Sequence, residues 1–199
     1  RIERPIERLE TNERPVASAW TNIGELHDEI GEYDKAIQNH LTSIAIKEKF
    51  HDTIGMAHSY HNLGYVYLDK NEPGKALANF KRGLELRAAM HDTAGIMSSM
   101  NRIGQTYFEL GRTDTALYLL DRCMALAERM HDSYRMGSVL SAKAEILRKT
   151  GRLAEARAIA LREAALEAKD GPSTAEGDVH LFLGELALSG TLRSVSGVL

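Results

Sequence analysis

Apolar residues recur along the chain at the spacing of amphipathic helices, and the helices come in pairs separated by short polar breaks. In one such pair the first helix is predicted over residues 55–70 and the second over residues 75–90. Tyr60, Leu63 and Tyr67 fall at helical spacing and share one face of the first of these helices. The pattern therefore predicts an all-α protein that is built from antiparallel helix pairs.

The pattern of helix pairs repeats every 40 residues. Four series share this interval: Gly24, Gly64 and Gly104; Ala36, Ala76, Ala116 and Ala156; Gly31, Asn71, Gly111 and Gly151; and the pairs His51-Asp52, His91-Asp92 and His131-Asp132. Repeats of this length are typical of stacked arrays, in which each unit buries its apolar face against its neighbours. The predicted segments are a linker or the end of a preceding helix at 1–14, helix pairs at 15–50, 55–90, 95–130 and 135–169, an extra helix at 174–189, and a tail or truncated helix at 190–199.

A glycine lies in the middle of the first helix of three repeats. Glycine inside a helix costs about 1 kcal/mol relative to alanine, so its return in one register indicates a packing requirement. A second small residue, Ala36 in the first repeat, follows in the partner helix. We expect Gly24 and Ala36 to face each other and to let the two helix axes approach closely.

Composition excludes several classes of protein. The formal net charge is 25 − 28 = −3, unlike the basic footprint of a nucleic-acid-binding protein. No apolar run approaches the roughly 20 residues of a membrane span. The single cysteine, Cys123, excludes an internal disulfide framework and indicates a buried structural thiol in a cytoplasmic protein. Because the chain begins at Arg1, we expect it to be part of a longer protein.

The three His-Asp pairs invite a metal-site interpretation. Each pair occupies the turn before a different repeat, and stacked helix pairs are offset by roughly 20 Å. Zinc ligands must converge to bonds of about 2.0–2.3 Å. We therefore predict that these residues end one helix and cap the next, and that no metal is bound. The sequence also lacks phosphate-binding and nucleophile motifs, so we expect neither a cofactor nor enzyme activity.

Residues 60–67, Tyr-His-Asn-Leu-Gly-Tyr-Val-Tyr, and the Gly-x-Tyr-x-x-Ala turn at 31–36 resemble the tetratricopeptide repeat. The resemblance extends from residue 15 to about 189, and the 40-residue unit is similar to that of kinesin light chains, Leu-Gly-Asn-type adaptors and bacterial signalling regulators. It implies a right-handed α-solenoid (superhelix) of antiparallel helix-turn-helix hairpins. It also implies a concave groove, lined by the first helices, that holds an extended or helical segment of a partner protein.

The resemblance also suggests binding residues. In longer-repeat members an asparagine two places before the repeat glycine often hydrogen-bonds the ligand backbone, and Asn22 and Asn62 match it. The third repeat has Arg102 there and Asn101 one place earlier. A carboxamide suits this role because it both donates and accepts. Further candidates for the groove wall are Glu25, His61, Tyr65, Gln105 and Glu145.

The charge of the first helices and the absence of one known binding motif narrow the class of ligand that is expected. Acidic residues are frequent on the first helices, which slightly favours a basic or amphipathic ligand; they are Glu25, Glu29, Asp69, Glu109 and Glu145. The lysines with which some co-chaperones clamp a C-terminal carboxylate are absent, so no chaperone-tail binding is predicted. The alternative function is a sensory or dimerisation module within a larger bacterial signalling or transcription regulator. Such a module could form a homodimer.

Overall fold

The computed structural model describes the backbone of residues 5–170 and the side chains of residues 15–166. All regular structure in this part of the chain is α-helical, which confirms the all-α class. The helices are α1 Pro5–Glu29, α2 Tyr33–Lys49, α3 Thr53–Asp69, α4 Pro73–Ala89, α5 Thr93–Glu109, α6 Thr113–Arg129, α7 Ser133–Lys149 and α8 Leu153–Asp170. The helix expected at 174–189 and the tail at 190–199 lie outside the described residues.

The described helices divide into two compact units, one with α1 to α5 and the other with α6 to α8. In the first unit each helix from α1 to α4 packs against the next one along the chain, and α1 also contacts α3. In the second unit α6 packs against α7, and α7 packs against α8. Each helix therefore buries its apolar stripe against its neighbours in sequence, as expected for stacked helix pairs.

Helix α1 is longer at its N-terminal end than the sequence pattern suggests, because it begins at Pro5 and continues through Pro15. Proline is tolerated in the first turn of a helix, where its missing N–H would have no partner anyway. Residues 5–14 therefore form part of α1.

Left-handed backbone conformations at the repeat turns explain two of the 40-residue series. Within each helix pair the turn residue has a positive φ of +77° at Gly31 and 61° at Asn71, the two residue types that adopt this conformation most readily. Between pairs, His51 and His91 have φ values of 53° and 55°. Histidine is among the side chains enriched in this region. Its recurrence at these turns thus has a conformational role.

The aspartates of the His-Asp pairs cap the following helix. The carboxylate of Asp52 accepts a hydrogen bond of 2.8 Å from the backbone N–H of Gly55, and Asp92 accepts one from Gly95 in the same way. Such a cap satisfies a backbone donor that has no partner within the helix. The predicted capping role is confirmed, and it recurs at Asp132 in the second unit.

The repeat glycine accommodates a large ring of the second helix, which the sequence analysis did not identify. A Cβ atom on Gly24 would lie 2.9 Å from ring atoms of His40, and one on Gly64 would lie 2.5 Å from the ring of Phe80. Real Cβ atoms essentially never approach so closely. The glycine is needed because the ring crosses directly over the helix backbone.

His40 occupies this core position in the first repeat, and it is unusual there. Its side chain is 1% exposed, and neither Nδ1 nor Nε2 has a hydrogen-bond partner among the described residues. Burial, with smaller contributions from the nearby Lys47 and His58, lowers the pKa of His40 from 6.5 to about 4. Phe80 takes the corresponding place 40 residues later.

We predict that His40→Phe stabilises the protein by about 1 kcal/mol near neutral pH, because it removes an unpaired buried polar group. The gain should grow as the pH falls from 6.5 to about 4, since only the unfolded His40 gains a proton in that window. Urea unfolding at several pH values measures both effects. His40→Gln is the control, which should lose the pH dependence without the stability gain. An equal gain at all pH values would contradict the prediction.

Candidate functional site

In the first unit the first helices of successive pairs are joined by side chains on a shared surface. Asn62 on α3 donates a hydrogen bond from Nδ2 to Oε1 of Glu25 on α1, at 2.5 Å. The guanidinium carbon of Arg102 on α5 lies 5.0 Å from the centroid of the Tyr65 ring on α3. We name this surface the A-helix face, and it comprises Asn22, Glu25, Asn62, Tyr65, Arg102 and Gln105.

The asparagines predicted from the sequence occupy different environments. Asn22 is exposed, and Asn62 is half-buried with one amide hydrogen bonded to Glu25. Asn101 is only 6% exposed, and its Oδ1 accepts a hydrogen bond of 3.1 Å from Nε2 of Gln105. One residue corresponds to a rotation of about 100° around a helix. Asn101 therefore turns into the helix packing, and Arg102 takes the surface position of the third repeat.

An aromatic cluster lies beneath the centre of the A-helix face. The ring of His61 contacts the rings of Tyr65 and Phe80 edge-on, with centroids 5.1 Å and 5.3 Å away. Burial, together with the positive charges of Arg87 and Arg102, lowers the pKa of His61 to about 3. His61 is therefore a neutral packing group at neutral pH. Of the candidates from the sequence, His61 and Tyr65 are brought together here.

The gap between successive helix pairs contains a buried and a half-buried basic side chain that the sequence analysis did not identify. Lys47 is 6% exposed, and its Nζ donates to the hydroxyl groups of Thr21 at 2.9 Å and Ser59 at 2.7 Å. Arg87, its counterpart one repeat later, donates to the hydroxyl of Ser99 at 2.6 Å. In the sequence, Lys47 and Arg87 are basic residues 40 positions apart, each near the end of a second helix, and this repetition could have identified them. Burial lowers the pKa of both groups.

The acidic candidates differ in how their charge is balanced. Glu25 accepts the hydrogen bond from Asn62. Near it on α1, burial and the neighbouring charges of Asp69 and Glu29 raise the pKa of Asp28. Glu145 lies in the second unit on α7, where Arg148 and Lys149 of the same helix form ion pairs with it.

The structure also bears on the single cysteine, on metal binding and on membrane spans. Cys123 is fully buried, as predicted, and burial raises the pKa of its thiol to about 11. Among the residues that the structure describes, no group of three or more His, Cys, Asp or Glu side chains could hold a metal ion. None of the described helices is both long and apolar enough to cross a membrane.

Comparison with known families gives a match to most of the chain. A family model of the tetratricopeptide repeat matches residues 15–89 and 95–176. None of the curated proteins with which the sequence was compared matches it.

Several solved structures share the fold. BtubC (BKLC) from P. vanneervenii is 18% identical with a TM-score of 0.67, and the match covers 79% of this chain and 66% of that chain. Kinesin light chain-like repeats of Podosopora anserina are 15% identical with a TM-score of 0.72, covering 90% and 89%. Aspartyl phosphate phosphatase F from Bacillus subtilis is 13% identical with a TM-score of 0.76, covering 89% and 49%. The chain thus spans about two thirds of the first of these proteins and half of the third.

Proposed function

Because this chain belongs to the tetratricopeptide repeat family, we propose that it is a protein-binding scaffold whose A-helix face holds an extended or helical segment of a partner. The family generally mediates protein–protein interactions and is generally non-catalytic.

The observation that supports the proposal is the pair Asn22 and Asn62. They occupy equivalent positions on α1 and α3, and these helices are in contact. Because α1 and α3 contact each other, equivalent residues on them can lie closer than the roughly 20 Å expected from the sequence. Packed helix axes are about 8–10 Å apart, which corresponds to about three residues of an extended chain. We therefore expect the two carboxamides to hydrogen-bond backbone groups of one extended segment about three residues apart.

The two asparagines also retain hydrogen-bonding capacity. The carboxamide of Asn22 has no hydrogen-bond partner among the described residues, and Asn62 uses one N–H for Glu25. A carboxamide has two donors and an acceptor, so each residue can both donate to and accept from a peptide group. Backbone recognition of this kind is independent of ligand sequence. Selectivity would come from the neighbouring Glu25, Tyr65 and Arg102.

The test is capture of a partner from a lysate, followed by affinity measurements with the purified partner, using the double variant Asn22→Ala/Asn62→Ala. We expect the dissociation constant to rise at least about tenfold, because each lost hydrogen bond contributes about 0.5–1.5 kcal/mol. The matched control is Asn39→Ala/Asn79→Ala. Asn39 and Asn79 have the same 40-residue spacing but lie on the second helices, α2 and α4.

Equal weakening by both double variants, or by neither, would overturn the proposal. The alternative is then a self-association module, which is favoured by the apolar stripe on α1. Leu26 and Ile30 in that stripe are 59% and 69% exposed. The corresponding Val66 on α3 is completely buried in the core with Ile37 and Ile44 of α2.

A further inference from the structure

We propose that Arg102 binds a carboxylate group of the partner segment. The inference rests on the proposed function, because it specifies the chemistry of a ligand on the same A-helix face. The carboxylate would belong either to an aspartate or glutamate side chain or to the C-terminus of the segment. Arg102 stands where the first two repeats have asparagine. The third repeat would therefore recognise a charged group of the ligand, whereas the first two repeats would hydrogen-bond the ligand backbone.

The guanidinium of Arg102 is held in position from two sides. It lies over the Tyr65 ring, and its Nη1 donates a hydrogen bond of 2.8 Å to Oε1 of Gln105. Gln105 is oriented in turn, since its Nε2 donates to Asn101. A side chain that is ordered before binding loses less conformational entropy when a ligand arrives. Gln105 and Asn101 thus act as positioning residues for Arg102.

Arg102 has N–H donors that make no hydrogen bond within the described part of the chain, and no acidic side chain there forms a salt bridge with it. A guanidinium carries five N–H donors in a planar fork that matches the two oxygens of a carboxylate. No carboxylate of the described residues lies within salt-bridge distance of Arg102. Arginines elsewhere are paired differently: Arg82 binds Glu85, and Arg152 binds Glu155.

A second guanidinium increases the positive potential at this part of the face. Arg87 donates to the hydroxyl of Ser99 and the carbonyl oxygen of Gly95, which are neutral acceptors. It too has no carboxylate within salt-bridge distance in the described part of the chain. The positive charges of Arg87 and Arg102 both lower the pKa of the intervening His61. An incoming carboxylate would therefore meet two guanidinium groups that form no salt bridge with a described residue, although Asp92 lies near Arg87. The setting is partly buried, where attraction is stronger than in water.

The alternative role for Arg102 is purely structural, as a link between α5 and α3 through Tyr65. A structural role would affect the affinity for every ligand in the same proportion. A recognition role would affect only ligands that carry the carboxylate. The two roles are therefore separated by the ligand preference of a variant, rather than by its overall affinity.

The experiment uses two arrays of synthetic peptides of randomised sequence, one with amidated and one with free C-termini. Each array is probed with the full chain and with its Arg102→Gln variant. The control Arg82→Gln removes the same charge from the exposed surface of α4. Circular dichroism establishes that all three proteins are equally helical.

We expect the full chain and Arg82→Gln to prefer peptides with an acidic residue at one position, or with a free C-terminus. Arg102→Gln should bind those peptides at least about tenfold more weakly and their amide counterparts equally well. The amidated array distinguishes side-chain carboxylates from terminal ones. Bound peptides without this preference, or a preference that survives in Arg102→Gln, would overturn the inference alone. Absence of peptide binding by the full chain would overturn the proposed function with it.

Discussion

Replacing Phe80 by alanine is expected to lower the free energy of unfolding of the first unit by about 3–5 kcal/mol. Phe80 is fully buried, and its ring packs against the backbone of Gly64 and the rings of His61 and Tyr65. Removing the ring leaves a cavity between α3 and α4, because neighbouring side chains can fill it only in part. Urea unfolding followed by circular dichroism measures the loss.

The matched control for Phe80→Ala is Leu41→Ala, which also removes a large apolar side chain from a second helix. Leu41 is 43% exposed on α2, so its truncation should cost less than about 1 kcal/mol. A comparable loss in the two variants would contradict the assignment of Phe80 as the centre of the α3–α4 packing.

Gly64→Ala is expected to destabilise the protein by about 1–3 kcal/mol, although alanine is the better helix former by about 1 kcal/mol. The added Cβ would lie 2.5 Å from the Phe80 ring, and because that ring is fully buried, its displacement requires neighbouring side chains to shift. Gly137→Ala is the control, since a Cβ there meets nothing within 4 Å. It should therefore raise stability by up to about 1 kcal/mol, in the opposite direction.

The two substitutions should also be strongly coupled. In the double variant Gly64→Ala/Phe80→Ala the added methyl group no longer meets a ring, so the loss should be smaller than the sum of the single losses. The fourth repeat already has this combination, with Ala144 and Ala160 at the corresponding positions, and both are buried. Additive losses in a double-mutant cycle would show that Gly64 is required for some other reason.

The helix pairs and their turns could be predicted from the sequence because they depend on local features. A helical period of apolar residues, Gly31 with its left-handed backbone and the cap at Asp52 all act within a few residues of one another. The start of α1 at Pro5 was not predicted, because a proline can begin a helix as well as end one. The pairing of Gly64 with Phe80 was missed, since it depends on how two helices cross.

The candidate site was predictable to the level of the helix that carries it, but not to the level of contacts. The repeat register aligned Asn22 with Asn62, which lie on α1 and α3. It did not distinguish Asn101 from Arg102 as the surface residue of α5, because a difference of one position decides between the packed and the exposed side of a helix. The link from Asn62 to Glu25 joins residues of different repeats and required the structure.

The measurement that tests the central claim most directly is hydrogen–deuterium exchange of the full chain with and without its captured partner. We expect slower amide exchange around Asn22, Asn62 and Arg102 on α1, α3 and α5, and little change in amide exchange in α2 and α4. Protection confined to α2 and α4, or to the apolar stripe of α1, would contradict binding at the A-helix face.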